Sequence, residues 1–335
     1  MNLNNNILSK VTISANAGGK AILIGEHSVV YGHKAIAMAL PDVRLQMKLC
    51  APDIPLESWD HAWSTIVKGK KYEPEIHIKK LLIKAFEKAL SLCKVTDNIY
   101  EYTPQIILVQ SEIPLGGGMG GSAAISTCFL KIAAQIALQK NIMNEEITIE
   151  KQIEFANEID CLFHFGKASG LDVTAVASDG MIEFTKGEKH KYIQNEKEFW
   201  LALIDSQERS ETSLMVKKVA LKLEENNIMA KDALDQLGKL ANDCVQNLTS
   251  GNLNALAKNL NCAQDYLNIL GVSTHKINNI VDVLKNEGAL AAKLTGAGGG
   301  GLVMGIFESH PKQLYSIFNE ECLFITRVPK YGKRI

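Results

Sequence analysis

Two glycine-rich runs are the places where this sequence could hold an anion. The first, Pro114-Leu-Gly-Gly-Gly-Met-Gly-Gly-Ser122, follows a β-like apolar stretch and leads into a long apolar helical pattern. Strand, glycine loop and helix start aim several backbone N–H groups and a helix N-terminus at one point, which suits phosphate. Pro114, Gly116, Gly117, Gly118, Gly120, Gly121, Ser122 and Ala123 are therefore a candidate phosphate cradle. Ser122 falls where an N-cap belongs, and its hydroxyl can also hold Mg2+, a cation that prefers oxygen. The second run, Thr295 to Gly301, leads from one strand-like segment straight into another.

Neither run is specific alone. GxxxxGK[ST] needs a lysine before its hydroxyl residue, and Gly121 stands there. Gly116, Gly118 and Gly121 satisfy GxGxxG, as do Gly296, Gly298 and Gly301. A dinucleotide site also needs an acid about 20 residues on, at the end of the next strand. That position holds Asn141, in a helical pattern, and the second run opens no helix. Both dinucleotide matches read as accidental. A plain flexible turn is the other reading of the first run, but so many glycines ahead of a helix cost conformational entropy without a packing gain.

The elements that must carry these loops can be read from periodicity. Lys20 to Gly25, Val43 to Cys50 and Gln105 to Ile113 read as strands, and Pro114 ends the last. His77 to Cys93 has helical spacing, as do Ser122 onward and about Glu145 to Phe163. After Gly180 come a strand pair, helices near 211–227, 231–247, 253–269 and 276–287, strands at 291–294, 302–307 and 323–328, and a helix over 311–319. Strands and helices mix without regular βαβ alternation, so the class is α+β in two domains, 1–190 and 191–335.

The chain has 335 residues, 46% of them hydrophobic and 22% charged, which fits an ordinary globular protein. Lys and Arg number 36 against 37 Asp and Glu, so an anionic ligand must be caught locally by amides and a few placed cations. No basic tract points to nucleic acid. No apolar run reaches the roughly 18 residues of a membrane span, and the Asn-rich start is no signal peptide. Seven scattered cysteines without a CxxC pair argue against disulfides and zinc, and for a reducing, cytoplasmic setting.

Three segments in order carry a specific resemblance. They are Ala17-Gly-Gly-Lys20 through Gly25-Glu26-His27-Ser28-Val-Val-Tyr31-Gly32, the Pro114–Ala124 loop, and Lys293-Leu-Thr295 through Gly301. Together they resemble the three motifs of the GHMP kinase family over nearly the whole chain. GEHSVVYG, GKASGLD at 166–172, LNILGVS at 267–273 and KLTGAGGGG resemble the branch that phosphorylates mevalonate. The resemblance implies an N-terminal domain like ribosomal protein S5 domain 2 and a ferredoxin-like C-terminal domain, with a cleft for ATP and substrate between them. It implies ATP and Mg2+ as cofactors, mevalonate as substrate, no nucleic acid or membrane partner, and leaves room for a homodimer.

By the same resemblance, Asp172 is the catalytic aspartate and Lys20 the lysine near the reacting hydroxyl. Glu26, His27, Thr212, Thr295, Gly296 and Ala297 fall on the substrate side with them. Asp172 could accept the hydroxyl's proton while Lys20 lowers that hydroxyl's pKa. Asp172 as a helix N-cap and Lys20 as a strand-edge surface lysine are the structural alternatives. The chain departs from the family at Gly121, where a serine is usual, at Gly18–Gly19, where a proline is usual, and at Cys161, where the metal-binding glutamate is usual. With Phe165 counted as an insertion, Asp160 takes the metal-binding register beside Ser122; Glu158, on the same helical face as Cys161, is the alternative. Another kinase of the family, acting on phosphomevalonate or a sugar, or a silent ligand-binding relative remain the competing functions.

Overall fold

The structure is a computed structural model, and it describes residues 10–51, 63–95, 106–114, 117–164 and 169–330. Gly116 of the expected phosphate cradle lies outside these residues. The chain divides into two compact units. One gathers Met1–Gly19, Val43–Leu115 and Gly120–Ser178; the other gathers Lys20–Asp42, Gly116–Met119 and Asp179–Ile335.

The first unit holds the start of β1 (Lys10–Ile24) and the latter part of β2 (Ala35–Ala51). Then follow β3 (Trp63–Val67), β4 (Lys70–Tyr72), α1 (Ile76–Leu92), β5 (Ile106–Ser111), α2 (Gly121–Gln139), α3 (Ile149–Asp160) and α4 (Leu171–Ser178). Here β2 alternates strictly: Val43, Leu45, Met47 and Leu49 are buried, with half-buried Arg44, Gln46 and Lys48 between them. That is the period of a strand with one face on a core. β5 pairs antiparallel with β2, Leu45 opposite Ser111, and parallel with β3. On length and mean hydropathy α2 could cross a membrane, but it packs against α1, α3 and α4 and buries most of its residues between Ala123 and Ala137. A helix apolar nearly all round is what a buried central helix requires.

The second unit adds β6 (Met181–Phe184), β7 (Lys191–Tyr192), β8 (Phe199–Asp205), α5 (Thr212–Glu224), α6 (Ile228–Ser250), α7 (Leu253–Leu270), α8 (His275–Asn286), β9 (Ala291–Thr295), β10 (Leu302–Phe307) and β11 (Leu323–Val328). β6 pairs with the start of β2, Ala35 opposite Phe184. The last four strands form an antiparallel sheet in the order β11-β8-β10-β9. Counted along the chain this is 4-1-3-2, the ferredoxin-like order. Side chains of Asn227, Asn252 and Thr274 cap α6, α7 and α8, each accepting from an N–H of the first turn.

Several boundaries differ from the sequence reading. β1 extends back to Lys10, β2 starts at Ala35, and α3 starts at Ile149, where Thr148 caps it. The segment expected as a helix over 311–319 is a short 3-10 turn, Lys312–Ser316. β3, β4 and β7 were not expected; Lys and Tyr dominate β4 and β7, and both are exposed, so no apolar face announces them.

Candidate active site

In the second unit, residues 22–27 are tied to residues 293–297. The Thr295 hydroxyl accepts from Ile22 N at 3.0 Å and donates to Ile22 O at 2.9 Å, which splices the end of β1 to the end of β9. Gly25 follows with φ +102°, and a Cβ there would lie 2.5 Å from Ala35 Cα. Glu26 and Lys293 then form an ion pair in which both side chains are about 1% exposed. The Lys293 ammonium also donates to Leu294 O at 2.6 Å. Burial pushes this ammonium below its usual range, and the Glu26 carboxylate pulls it back up. The second carboxylate oxygen of Glu26, Oε2, is buried with no hydrogen-bond partner among the described residues.

His27 comes next, with φ 61° and ψ −48°. Ser28 N donates to Glu26 O at 2.7 Å, so Glu26-His27-Ser28 is a γ-turn of the rare positive-φ kind. Such a turn is strained, and it persists only where its surroundings fix it. The His27 ring is 5% exposed, and its Nε2 lies 2.8 Å from Ala297 O. A carbonyl only accepts, so Nε2 carries the proton and donates. Burial lowers the imidazole pKa, and the carbonyl opposes this less strongly, so the ring is neutral near pH 7. On the far side of the turn, His33 packs against Gly238 of α6, leaving no room for a Cβ there: its Nδ1 is 2.3 Å from where one would be.

Lys20 is 3% exposed, which removes the reading of a surface lysine, and its backbone N–H donates to Met119 O at 2.9 Å. Met119 is fully buried, whereas Gly118 beside it is exposed, with φ +80° and open space around its Cα. Gly117 is buried, Pro114 is half-buried, and Gly120 has αL backbone. The cap of α2 is Gly120, not Ser122: the helix begins at Gly121, one residue earlier than expected, and Ser122 and Ala123 lie in its first turn.

That shift gives the Ser122 side chain a different use. Its Oγ lies 3.0 Å from His164 Nε2, in the first unit, and the same Nε2 lies 3.5 Å from Asp160 Oδ2. Asp160 and His164 are four residues apart, and the Asp160 side chain is only 3% exposed. One imidazole nitrogen thus lies within reach of both a hydroxyl and a carboxylate. Glu158 faces elsewhere and pairs with Lys88 at 2.7 Å on the surface. Among the described residues no group of three His, Cys, Asp or Glu side chains could hold a metal, so any cation here would need the Ser122 oxygen. Asp172 is the second residue of α4 and is half-buried. It is not the N-cap of the structural alternative.

The second glycine run is closed by protein from Gly298 to Gly300 and open at its two ends, Gly296 and Gly301. A Cβ on Gly298 would lie 2.2 Å from Val272 O, and one on Gly300 would lie 2.6 Å from Glu208 O. Gly296 has open space and Ala297 gives its carbonyl to His27. Thr212 is the exposed first residue of α5. Two residues were missed from the sequence, Lys293 and His164. Lys293 could have been found: it is the one charge in the wholly buried strand Ala291–Thr295.

An antiparallel sheet in ferredoxin-like order, a glycine loop opening a buried helix and a Lys-Glu-His segment tied to a second glycine loop define a kinase for small molecules. The family models agree. The one for the GHMP kinases N terminal domain matches residues 77–180, and the one for the GHMP kinases C terminal region matches 244–322. The chain belongs to the GHMP kinase family, ATP-dependent enzymes that phosphorylate a hydroxyl group. It is 30% identical over 301 residues to the mevalonate kinase of Aeropyrum pernix, covering 88% of each chain. It is 28% identical over 338 residues to that of Pyrococcus abyssi, covering 96% of this chain and 97% of the relative. The L. major mevalonate kinase in complex with R-mevalonate shares the fold, with a TM-score of 0.77 at 22% identity, over 97% of this chain and 98% of that one.

Proposed function

We propose that this chain is a mevalonate kinase, transferring the γ-phosphate of ATP to the 5-hydroxyl of mevalonate with Mg2+. The observation that carries the reading is the nearly full-length similarity to mevalonate kinases of several organisms. The Glu26–His27 turn supports it: a strained turn held by Lys293 and Ala297 is a rigid place from which to select one polyol. Glu26 Oε2, buried and without a partner among the described residues, can accept from a substrate hydroxyl. Thr295 keeps the chain leading into that turn in register through its two bonds to Ile22, and the family resemblance adds Gly296 and Thr212 to the substrate side.

Phosphoryl transfer needs positioning and charge neutralisation more than covalent help. Lys20 lowers the pKa of the reacting hydroxyl, and Asp172 accepts its proton as the new P–O bond forms and the bond from the γ-phosphorus to the bridging oxygen breaks, releasing ADP. The amides from Gly117 to Ala123, with Pro114 and Gly116 leading into them, hold the triphosphate. Ser122 and Asp160 offer a hydroxyl and a carboxylate, hard oxygens that fit Mg2+, while the Lys88 pair leaves Glu158 turned away. The cation would neutralise charge on the phosphates. Asp160→Asn therefore weakens Mg·ATP turnover more than Glu158→Gln; the reverse order in steady-state kinetics removes Asp160 from this role.

Residues 1–190 and 191–335 are our division into the N-terminal, ATP-binding domain and the C-terminal domain. Seven free cysteines, five of them buried, support a cytoplasmic setting, and a homodimer is checked by light scattering. The deciding experiment offers Mg·ATP with mevalonate, phosphomevalonate, homoserine, galactose and glycerol. ADP release is expected with mevalonate alone. Turnover of another acceptor without mevalonate would overturn the substrate and leave the family intact; tight mevalonate binding without ADP release would mark a silent binder.

A further inference from the structure

The geometry points to His164 as a third protein ligand of the metal site, making this a mixed nitrogen and oxygen site that takes Mn2+ in preference to Mg2+. The inference rests on the reading of Ser122 and Asp160 as the metal-binding pair. Its starting point is that one nitrogen, His164 Nε2, faces both oxygens, at 3.0 Å from Ser122 Oγ and 3.5 Å from Asp160 Oδ2. A ring nitrogen carries either a proton or a lone pair in the ring plane, so it makes one good hydrogen bond, not two in different senses. As a donor it is shared between two oxygens; as an acceptor it faces a carboxylate that only accepts. A cation among the three would take a lone pair from the nitrogen and from each oxygen.

The distances suit that. With metal–donor bonds of about 2.1 Å, neighbouring corners of an octahedron lie about 3.0 Å apart. The Ser122–His164 separation already has that value, and the Asp160–His164 separation needs to close by about 0.5 Å on the same estimate. Side chains four residues apart share a helical face, and His164 lies in the turn just past the end of α3, so a small rotation suffices. Asp160 is nearly buried and fixed, while His164 is 43% exposed and free to adjust. The preference follows from ligand type. Imidazole gains little from Mg2+, which favours all-oxygen shells, and more from first-row metals, among which Mn2+ also accepts carboxylate and hydroxyl. Cys161, next to Asp160 at the position where the family has its glutamate, is a poor ligand for either cation in this shell.

The test uses the full chain with Mn2+ and ADP, read by electron spin echo envelope modulation, which senses nitrogen bound to Mn2+. A directly bound nitrogen is expected, and its signal changes to that of 15N when only the histidines are 15N-labelled, which separates imidazole from adenine without any mutation. In His164→Gln the signal is lost, the Mn2+ dissociation constant rises at least about tenfold, and the ratio of Mn2+ to Mg2+ affinity falls. If Asp160→Asn weakens Mn2+ binding but no histidine nitrogen is seen, His164 is not a ligand and the oxygen site stands. A histidine signal that persists in His164→Gln overturns the assignment. Mn2+ binding untouched by Asp160→Asn overturns the metal pair itself, and the inference with it.

Discussion

The two glycine runs spell nearly the same pattern and do opposite things. Around Gly118 the first run is open: the residue is exposed, and a Cβ would meet nothing within 4 Å. In the second run Gly298 and Gly300 lie so close to the carbonyls of Val272 and Glu208 that any side chain would collide. Gly299 N and Gly301 N are already spent on Val272 O and Glu208 O, at 2.6 Å and 2.9 Å. One run leaves its backbone open at Gly118, as the proposed phosphate cradle requires, and the other keeps glycine so that protein can approach. The closed run and the strand before it bring Lys293 to Glu26, Thr295 to Ile22 and Ala297 to His27, so their contribution to the site is rigidity. Composition alone cannot separate the two uses, because a missing Cβ serves both.

The contrast breaks first at Lys293, which heads the closed run. Lys293→Met leaves the buried Glu26 carboxylate without its partner, a loss of about 3–5 kcal/mol in unfolding free energy. The urea midpoint reads it. Replacing both partners, Lys293→Met with Glu26→Leu, is expected to restore most of the stability and none of the mevalonate affinity. Recovery of both would reduce the pair to a structural tie. Gly298→Ala comes next. It sets a Cβ against Val272 O at a φ of +78°, and about 3 kcal/mol of stability is lost while the KM for ATP stays near its original value in the fraction that folds. Gly118→Ala should invert this result. Its φ of +80° costs about 1 kcal/mol, but the methyl enters the phosphate approach. Losing one or two amide contacts of about 1 kcal/mol each raises the KM for ATP about tenfold. Equal stability losses for the two alanines would erase the distinction between open and closed runs.

Much of this was legible in the sequence where one chemical need fixes several positions at once. Strands with strict alternation, such as Val43 to Leu49, and helices with an apolar face, such as α8, announce themselves because burial selects one side. The loop–helix junction at 120–122 was legible to within two residues; the error arose because a glycine caps a helix N-terminus nearly as well as a serine does. The Lys293–Glu26 pair was not read, since its partners stand 267 residues apart and only the tertiary fold brings them together. His164 was passed over for a similar reason: its meaning depends on Ser122, 42 residues earlier. The 4-1-3-2 strand order is likewise set by packing among strands that the sequence supplies only one by one.

The smallest effect expected is a pH dependence at His27, and it probes the rigidity that the closed run supplies. Burial lowers the folded-state pKa of this imidazole below its ordinary value of 6.5. The unfolded chain therefore binds the proton first as the pH falls, and stability follows the protons: it rises with pH wherever the unfolded state holds more of them. His27 thus contributes stability above pH 6.5 that drains away between that value and its own lower pKa. His27→Asn tolerates positive φ and does not titrate in this range. Measured by urea unfolding at pH 7.5 and 5.5, the wild type should lose more stability on acidification than His27→Asn does. The carboxylates common to both proteins cancel in that difference. If the two lose the same amount, the His27 ring accepts its proton in the folded state as readily as in water, and burial does not set its charge.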